Sequence, residues 1–202
     1  MTKIKLCGLR FDEDINCVNE LLPEYIGFVF WNKSKRYIEP EDAYYLKQRL
    51  DRRIKAVGVF VDEPIERVEE LLKKGIIDIV QLHGDEGDAY IHRLKLDYNC
   101  EVIKAFKIRN NEDVLAANNS TADMVLLDSG MGSGEIFDWT YIKAIERPYI
   151  LAGGLTPENV NGAVEELKPY GVDASSSLET GGKKDAEKMR KFVEEVRKTE
   201  RI

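Results

Sequence analysis

Cys7 closes the short run Ile4-Lys5-Leu6-Cys7 at Gly8. That spacing puts its thiol at the carboxyl end of the first strand, where parallel α/β proteins carry their chemistry. A free thiol ionises near pH 8.5, so it acts as a base only where positive charge or a helix terminus raises the thiolate fraction. Asp128 ends a second apolar run, and a carboxyl buried there can stay protonated and donate. Together the two can form a general base and a general acid. Each read alone is ordinary, Cys7 as a small buried hydrophobe and Asp128 as a loop or capping carboxylate. Cys17 falls in a helical pattern, and Cys100 opens a strand, at the opposite end from the chemistry.

Two further strand ends carry an anion signature. Ala152-Gly153-Gly154-Leu155 follows one apolar run and Ser175-Ser176-Ser177 follows another. Glycine turns and small hydroxyl residues let backbone amides approach an anion closely, and barrels often hold phosphate after their last two strands. His83 follows a further strand and is placed either to orient a ligand or to be a satisfied polar group. Arg36 lies in a loop with Lys33 and Lys35, and Lys183 with Lys184 in another. These clusters give an anionic ligand local positive potential, or simply a solvated surface. There is no HExxH, carboxylate cluster or CxxC, so no metal is expected.

The elements that must position these groups alternate regularly. Apolar, β-branched runs at 4–7, 25–30, 55–60, 77–82, 101–106, 124–128, 148–152 and 171–175 are each followed by a segment of helical period. Asp12 is placed to cap the first helix, Pro40 to open the second, and Thr156-Pro157-Glu158 to open a later one. Met189, Phe192, Val193 and Val196 form one face of the last. Eight such units in 202 residues predict an α/β fold, a single-domain (β/α)8 TIM barrel over residues 1–202 with its catalytic face at the carboxyl ends of the strands. A doubly wound open sheet is the alternative, but Cys7-Gly8-Leu9-Arg10 is not the glycine-rich turn that fold uses.

Composition narrows the function classes. The net charge of −7 opposes a general affinity for nucleic acid. No apolar run approaches the roughly 18 residues of a membrane span, and the N-terminus has no signal-peptide pattern. Three cysteines without metal spacing fit a reducing compartment, so a cytoplasmic protein is expected. The oligomeric state is open between monomer and homodimer.

Seven segments, in order along the chain, resemble one family. They are Lys5-Leu6-Cys7-Gly8-Leu9; Gly27-Phe28-Val29-Phe30 with Ser34-Lys35-Arg36-Tyr37; Val57-Gly58-Val59-Phe60; Gln81-Leu82-His83-Gly84; Leu126-Leu127-Asp128 with Phe137-Asp138-Trp139; Leu151-Ala152-Gly153-Gly154-Leu155 with Pro157-Glu158-Asn159-Val160; and Val172-Asp173-Ala174-Ser175-Ser176. The set is similar to phosphoribosylanthranilate isomerases of tryptophan biosynthesis. The resemblance implies a cofactor-independent Amadori rearrangement of a small phosphorylated anion. In it Cys7 is the base at ribose C2, Asp128 the acid at the ring oxygen and Arg36 the partner of the anthranilate carboxylate. It also implies that Gly153, Gly154, Ser175 and Ser176 hold the phosphate; His83, placed to orient substrate or transfer a proton, is expected among the substrate-binding residues. Rival readings are another sugar-phosphate barrel enzyme, expected to use lysine with glutamate or paired aspartates, and a non-catalytic barrel that binds a phosphorylated ligand. The chain departs from the family pattern at Ser177, where a glycine is usual, and in Ser129-Gly130-Met131-Gly132-Ser133-Gly134.

Overall fold

Strict alternation along short strands divides the apolar residues between two cores, one inside a ring of strands and one outside it. A computed structural model describes residues 1–128 and 140–198 of the chain. Its strands β1 (Lys3–Cys7), β2 (Tyr25–Val29), β3 (Lys55–Phe60), β4 (Ile79–Leu82), β5 (Glu101–Lys107), β6 (Met124–Asp128), β7 (Tyr149–Ala152) and β8 (Gly171–Ala174) pair in sequence order. All pairs are parallel, and β8 closes on β1 with Lys5 opposite Asp173. Tyr25, Val57, Ile79, Ile103, Met124, Leu126 and Ile150 pack inside the ring. Ile4, Leu6, Ile26, Phe28, Phe60 and Val80 face outward into the core beneath the helices. The expected barrel is the observed fold.

The helices are α1 (Asp12–Leu21), α2 (Pro40–Arg49), α3 (Ile65–Lys73), α4 (Asp88–Tyr98), α5 (Asn111–Asn119), α6 (Thr140–Lys143), α7 (Val160–Leu167) and α8 (Ala186–Lys198). Pro40 opens α2 as expected, its fixed φ suiting the first turn. Asp12 is not the cap of α1. It is the first helical residue, and the carboxylate of Asp14 accepts from the amides of Arg10 and Phe11 instead. Asp185 precedes α8 and accepts from the amides of Glu187 and Lys188, satisfying two donors that the helix leaves open.

Several boundaries differ from the sequence pattern. β2 ends at Val29, because Phe30 turns outward to stack on Phe60 at 5.4 Å. β4 begins at Ile79, since the Asp78 amide bonds the Ala56 carbonyl and Ile77 packs over Gly58. Beyond β8 a turn of 3-10 helix (Ser176–Leu178) leads to a hairpin of β9 (Glu179–Thr180) and β10 (Lys183–Lys184), which has no apolar period to announce it. The loop Ser129-Gly130-Met131-Gly132-Ser133-Gly134 and Phe137-Asp138-Trp139 lie outside the described residues. Among the described residues no helix is long and apolar enough to cross a membrane.

Helix α8 covers the seam where the barrel closes, with Met189, Phe192, Val193 and Val196 buried against it. Phe192 is fully buried. Phe192→Ala is expected to cost about 3 to 5 kcal/mol in chemical denaturation, through lost transfer energy and the cavity left behind.

Candidate active site

The carboxyl ends of the strands surround a cavity of about 330 Å³, within the range of small-molecule sites. Cys7, Arg36, His83, Asp128, Gly153, Gly154, Ser175 and Ser176 all line it. Residues from β1, the loop after β2, β4, β6, β7 and β8 therefore meet in one place. Cys7 on β1 and Asp128 on β6 reach the cavity from strands three apart around the ring, through β8 and β7.

Cys7 points over Gly27 of the neighbouring strand. A Cβ at Gly27 would stand 2.5 Å from its sulfur, so the absent side chain makes the room that the thiol occupies. Burial pushes the thiol up from its ordinary range, against the pull of Lys5. Lys5 is the neighbour two residues back on the same inward face, and its ammonium pairs with Asp173 at 2.9 Å. Asp173 itself lines the cavity.

Arg36 reaches the cavity across Gly8. Gly8 has φ 81, and a Cβ there would fall 2.5 Å from Arg36 Cδ. The loop that carries Arg36 is fixed at several points: its own amide bonds the Ser34 hydroxyl, the Ile38 amide bonds the Val29 carbonyl, and Arg10 donates to the Lys35 and Gly182 carbonyls. The guanidinium is held in a two-point pair by Glu179, Nε to Oε1 at 2.5 Å and Nη2 to Oε2 at 2.9 Å. Glu179 Oε1 also accepts from Lys184 at 2.8 Å. Burial works against ionisation of Glu179, but the bonds from Arg36 and Lys184 hold its carboxyl below the usual range.

Lys184 continues the chain of contacts, donating to the Ser175 carbonyl at 2.9 Å, while the Ser175 hydroxyl donates to the Cys7 carbonyl at 2.9 Å. Its side chain is only 2% exposed, which corrects the reading of Lys183 and Lys184 together as a solvated pair. Lys183 does face out, over the ring of Phe11. Lys33 and Lys35 are exposed.

Gly153 and Gly154 have φ 86 and 65, a double left-handed turn that other residues adopt only with strain. Ser177 has no such backbone. It sits in the 3-10 turn, and its hydroxyl donates to the Leu155 carbonyl, so the loops after β7 and β8 are tied together where the family pattern has glycine. Burial holds His83 below the usual imidazole range in spite of Asp128 nearby. Gln81 Nε2 meets its Nδ1 at 3.3 Å. Among the described residues no group of three or more His, Cys, Asp or Glu is arranged to hold a metal.

The site thus contains groups that strand-end reasoning passed over. Lys5 was hidden in an apolar run, Gln81 in a strand, and Glu179 in a hairpin too short to show a period. Only their polarity in otherwise apolar or tightly turning segments signals them.

Residues 4–195 match the family model described as N-(5'phosphoribosyl)anthranilate (PRA) isomerase. The N-(5'-phosphoribosyl)anthranilate isomerase of Caldanaerobacter subterraneus subsp. tengcongensis is 45% identical over 204 residues, covering 98% of each chain. The crystal structure of phosphoribosyl anthranilate isomerase from Thermotoga maritima superposes with a TM-score of 0.88 at 36% identity and 100% coverage of both chains. A phosphoribosyl anthranilate isomerase in complex with reduced 1-(o-carboxyphenylamino)-1-deoxyribulose 5-phosphate gives 0.85 at 35% identity, again with 100% coverage of both.

Gly8→Ala is expected to cost about 1 to 3 kcal/mol through its left-handed backbone, and to displace Arg36 from Glu179. Thermal unfolding checks the first effect and a crystal structure of the variant the second.

Proposed function

The chain belongs to the N-(5'-phosphoribosyl)anthranilate isomerase family, and from that premise we propose that Cys7 and Asp128 are the base and the acid of its reaction. It is an enzyme of tryptophan biosynthesis, converting N-(5'-phosphoribosyl)anthranilate to 1-(o-carboxyphenylamino)-1-deoxyribulose 5-phosphate. The observation that carries the assignment is the convergence of Cys7, Asp128, Arg36 and the Gly153-Gly154 turn on one cavity.

Asp128 donates a proton to the furanose ring oxygen as the bond from that oxygen to C1 breaks, leaving an iminium between C1 and the anthranilate nitrogen. The positive nitrogen acidifies C2–H. The Cys7 thiolate takes that proton, and the C–H electrons form the C1=C2 bond while the iminium π electrons return to nitrogen. The resulting enolamine tautomerises: C1 gains a proton, the C2 hydroxyl loses one, and the ketone forms. Proton return to Asp128 and loss from Cys7 restore the starting state, so the reaction is an isomerisation with no cofactor. Each proton transfer contributes roughly 10²- to 10⁴-fold, and positioning of the substrate supplies much of the rest.

Positioning rests on two anion anchors that line the cavity. Arg36 takes the anthranilate carboxylate, its planar fork already oriented by Glu179. Gly153, Gly154, Ser175 and Ser176 take the phosphate. His83, biased by burial toward its uncharged form, hydrogen-bonds the substrate.

Residues 1–202 act as one catalytic barrel domain whose working face is formed by the carboxyl ends of the strands. The ligand is a small phosphorylated anion and not nucleic acid, consistent with a net charge of −7 offset locally by Arg36 and Lys184. A cysteine base needs a compartment that keeps thiols reduced, which supports the cytoplasm. The enzyme works as a monomer or a homodimer.

Loss of anthranilate-type fluorescence from freshly generated substrate measures the reaction. Cys7→Ala and Asp128→Ala are each expected to lower kcat by about 10²- to 10⁴-fold with little change in KM, whereas Arg36→Ala mainly raises KM. Wild-type turnover in Cys7→Ala removes the base assignment, and wild-type protein that binds product without turning over substrate points instead to a non-catalytic binding barrel.

A further inference from the structure

A lysine inside a barrel is costly unless its charge is matched, and Lys5 is 1% exposed. It lies two residues before Cys7 on β1, so both side chains point inward, one layer apart. Asp173 stands opposite it in the register of β8 and accepts its ammonium at 2.9 Å. From that layer the Lys5 ammonium acts electrostatically on the Cys7 sulfur. This geometry is unlike a simple buried ion pair, because the cation has two acidic partners and can fully neutralise only one.

We propose that Lys5 is a positioning residue for Cys7: its buried ammonium is shared between the carboxylate of Asp173 and the sulfur, and it governs whether that sulfur carries a negative charge. The inference rests on the assignment of Cys7 as the base. The reacting atoms are reached through the sulfur, and Lys5 needs no contact with substrate.

The charged groups around the sulfur are few. β1 itself supplies Lys5, β8 supplies Asp173, β10 supplies Lys184, and the loop after β2 supplies Arg36. Next to them, His83 just past β4 feels the charges of Lys5, Asp173, Asp128 of β6 and Lys107 of β5. Lys184 and Arg36 share the carboxylate of Glu179, which leaves Lys5 and Asp173 as the pair that acts on Cys7 from below. Burial pushes the thiol up, Lys5 draws it down, and Asp173 pushes it up. The two partners of one ion pair therefore act on Cys7 with opposite signs, which a purely structural role for the pair does not produce.

The pH dependence of Cys7 alkylation by iodoacetamide tests this, read by mass spectrometry of the Cys7 peptide so that Cys17 and Cys100 are counted separately. In Lys5→Met the midpoint is expected to rise by about one pH unit or more, since the thiolate loses its cation, and in Asp173→Asn to fall by about one. Lys5→Met leaves Asp173 buried without a partner, and if that variant does not fold, Lys5→Met/Asp173→Asn replaces it. The double variant carries neither charge, and its midpoint is expected about one unit above that of Asp173→Asn. Midpoints that stay at the wild-type value, or move in the same direction in both single variants, overturn the proposal. The basic limb of kcat/KM is measured on the same proteins. If alkylation midpoints shift in opposite directions while that limb stays fixed, the coupling of Lys5 to Cys7 stands and the reading of Cys7 as the base falls.

Discussion

The carboxylate of Glu179 grips the Arg36 fork and the Lys184 ammonium at once, and the geometry of the cavity depends on that double contact. Arg36 and Lys184 come from separate parts of the chain, one from the loop after β2 and the other from β10. Without a shared anion they would repel at close range, and in a half-buried setting that repulsion is poorly screened. With it, the bonds run on from Lys184 to the Ser175 carbonyl and from the Ser175 hydroxyl to the Cys7 carbonyl. One connected set of bonds thus joins the Arg36 guanidinium to the strand end that carries the thiol. Preorganisation of this kind matters because small misplacements at the reacting atoms are costly in rate.

The barrel makes such networks necessary as well as possible. Eight strand ends point their side chains into one small space, so every polar group there has other polar groups as neighbours in place of bulk water. The structure meets this constraint with pairs that bridge distant parts of the chain, Lys5 to Asp173 and Arg36 to Glu179, and with glycines where side chains would collide. Gly27 clears space for the Cys7 sulfur and Gly8 for the stem of Arg36. Burial pushes that thiol up, and the buried Lys5 cation opposes the push.

Much of this was legible in the sequence because it is local. Strand alternation, the Gly153-Gly154 turn and the placement of Cys7 and Asp128 at strand ends each depend on a few adjacent residues. The groups that were not legible depend on partners far away. Lys5 reads as an interruption in an apolar run until Asp173, 168 positions on, is seen beside it. Lys184 reads as surface until Glu179 and Ser175 enclose it, and Asp12 and Asp14 cannot be told apart as caps without knowing where the first turn begins. At Ser177, where the family pattern has glycine, the backbone is not left-handed and the hydroxyl donates to the Leu155 carbonyl. The resemblance to a family gave the reaction. It did not give the charges beneath the reacting thiol.

The central claim is that one cysteine and one aspartate face the sugar from different sides while two anchors hold its ends. A crystal structure of this enzyme with the reduced product analogue bound tests it most directly. The account predicts the Cys7 sulfur in contact with sugar C2, the Asp128 carboxyl at the oxygen that closes the furanose ring, the aromatic carboxylate on Arg36, and the phosphate at Gly153, Gly154, Ser175 and Ser176. A ligand bound with its phosphate at Arg36, or with C2 out of reach of Cys7, contradicts it.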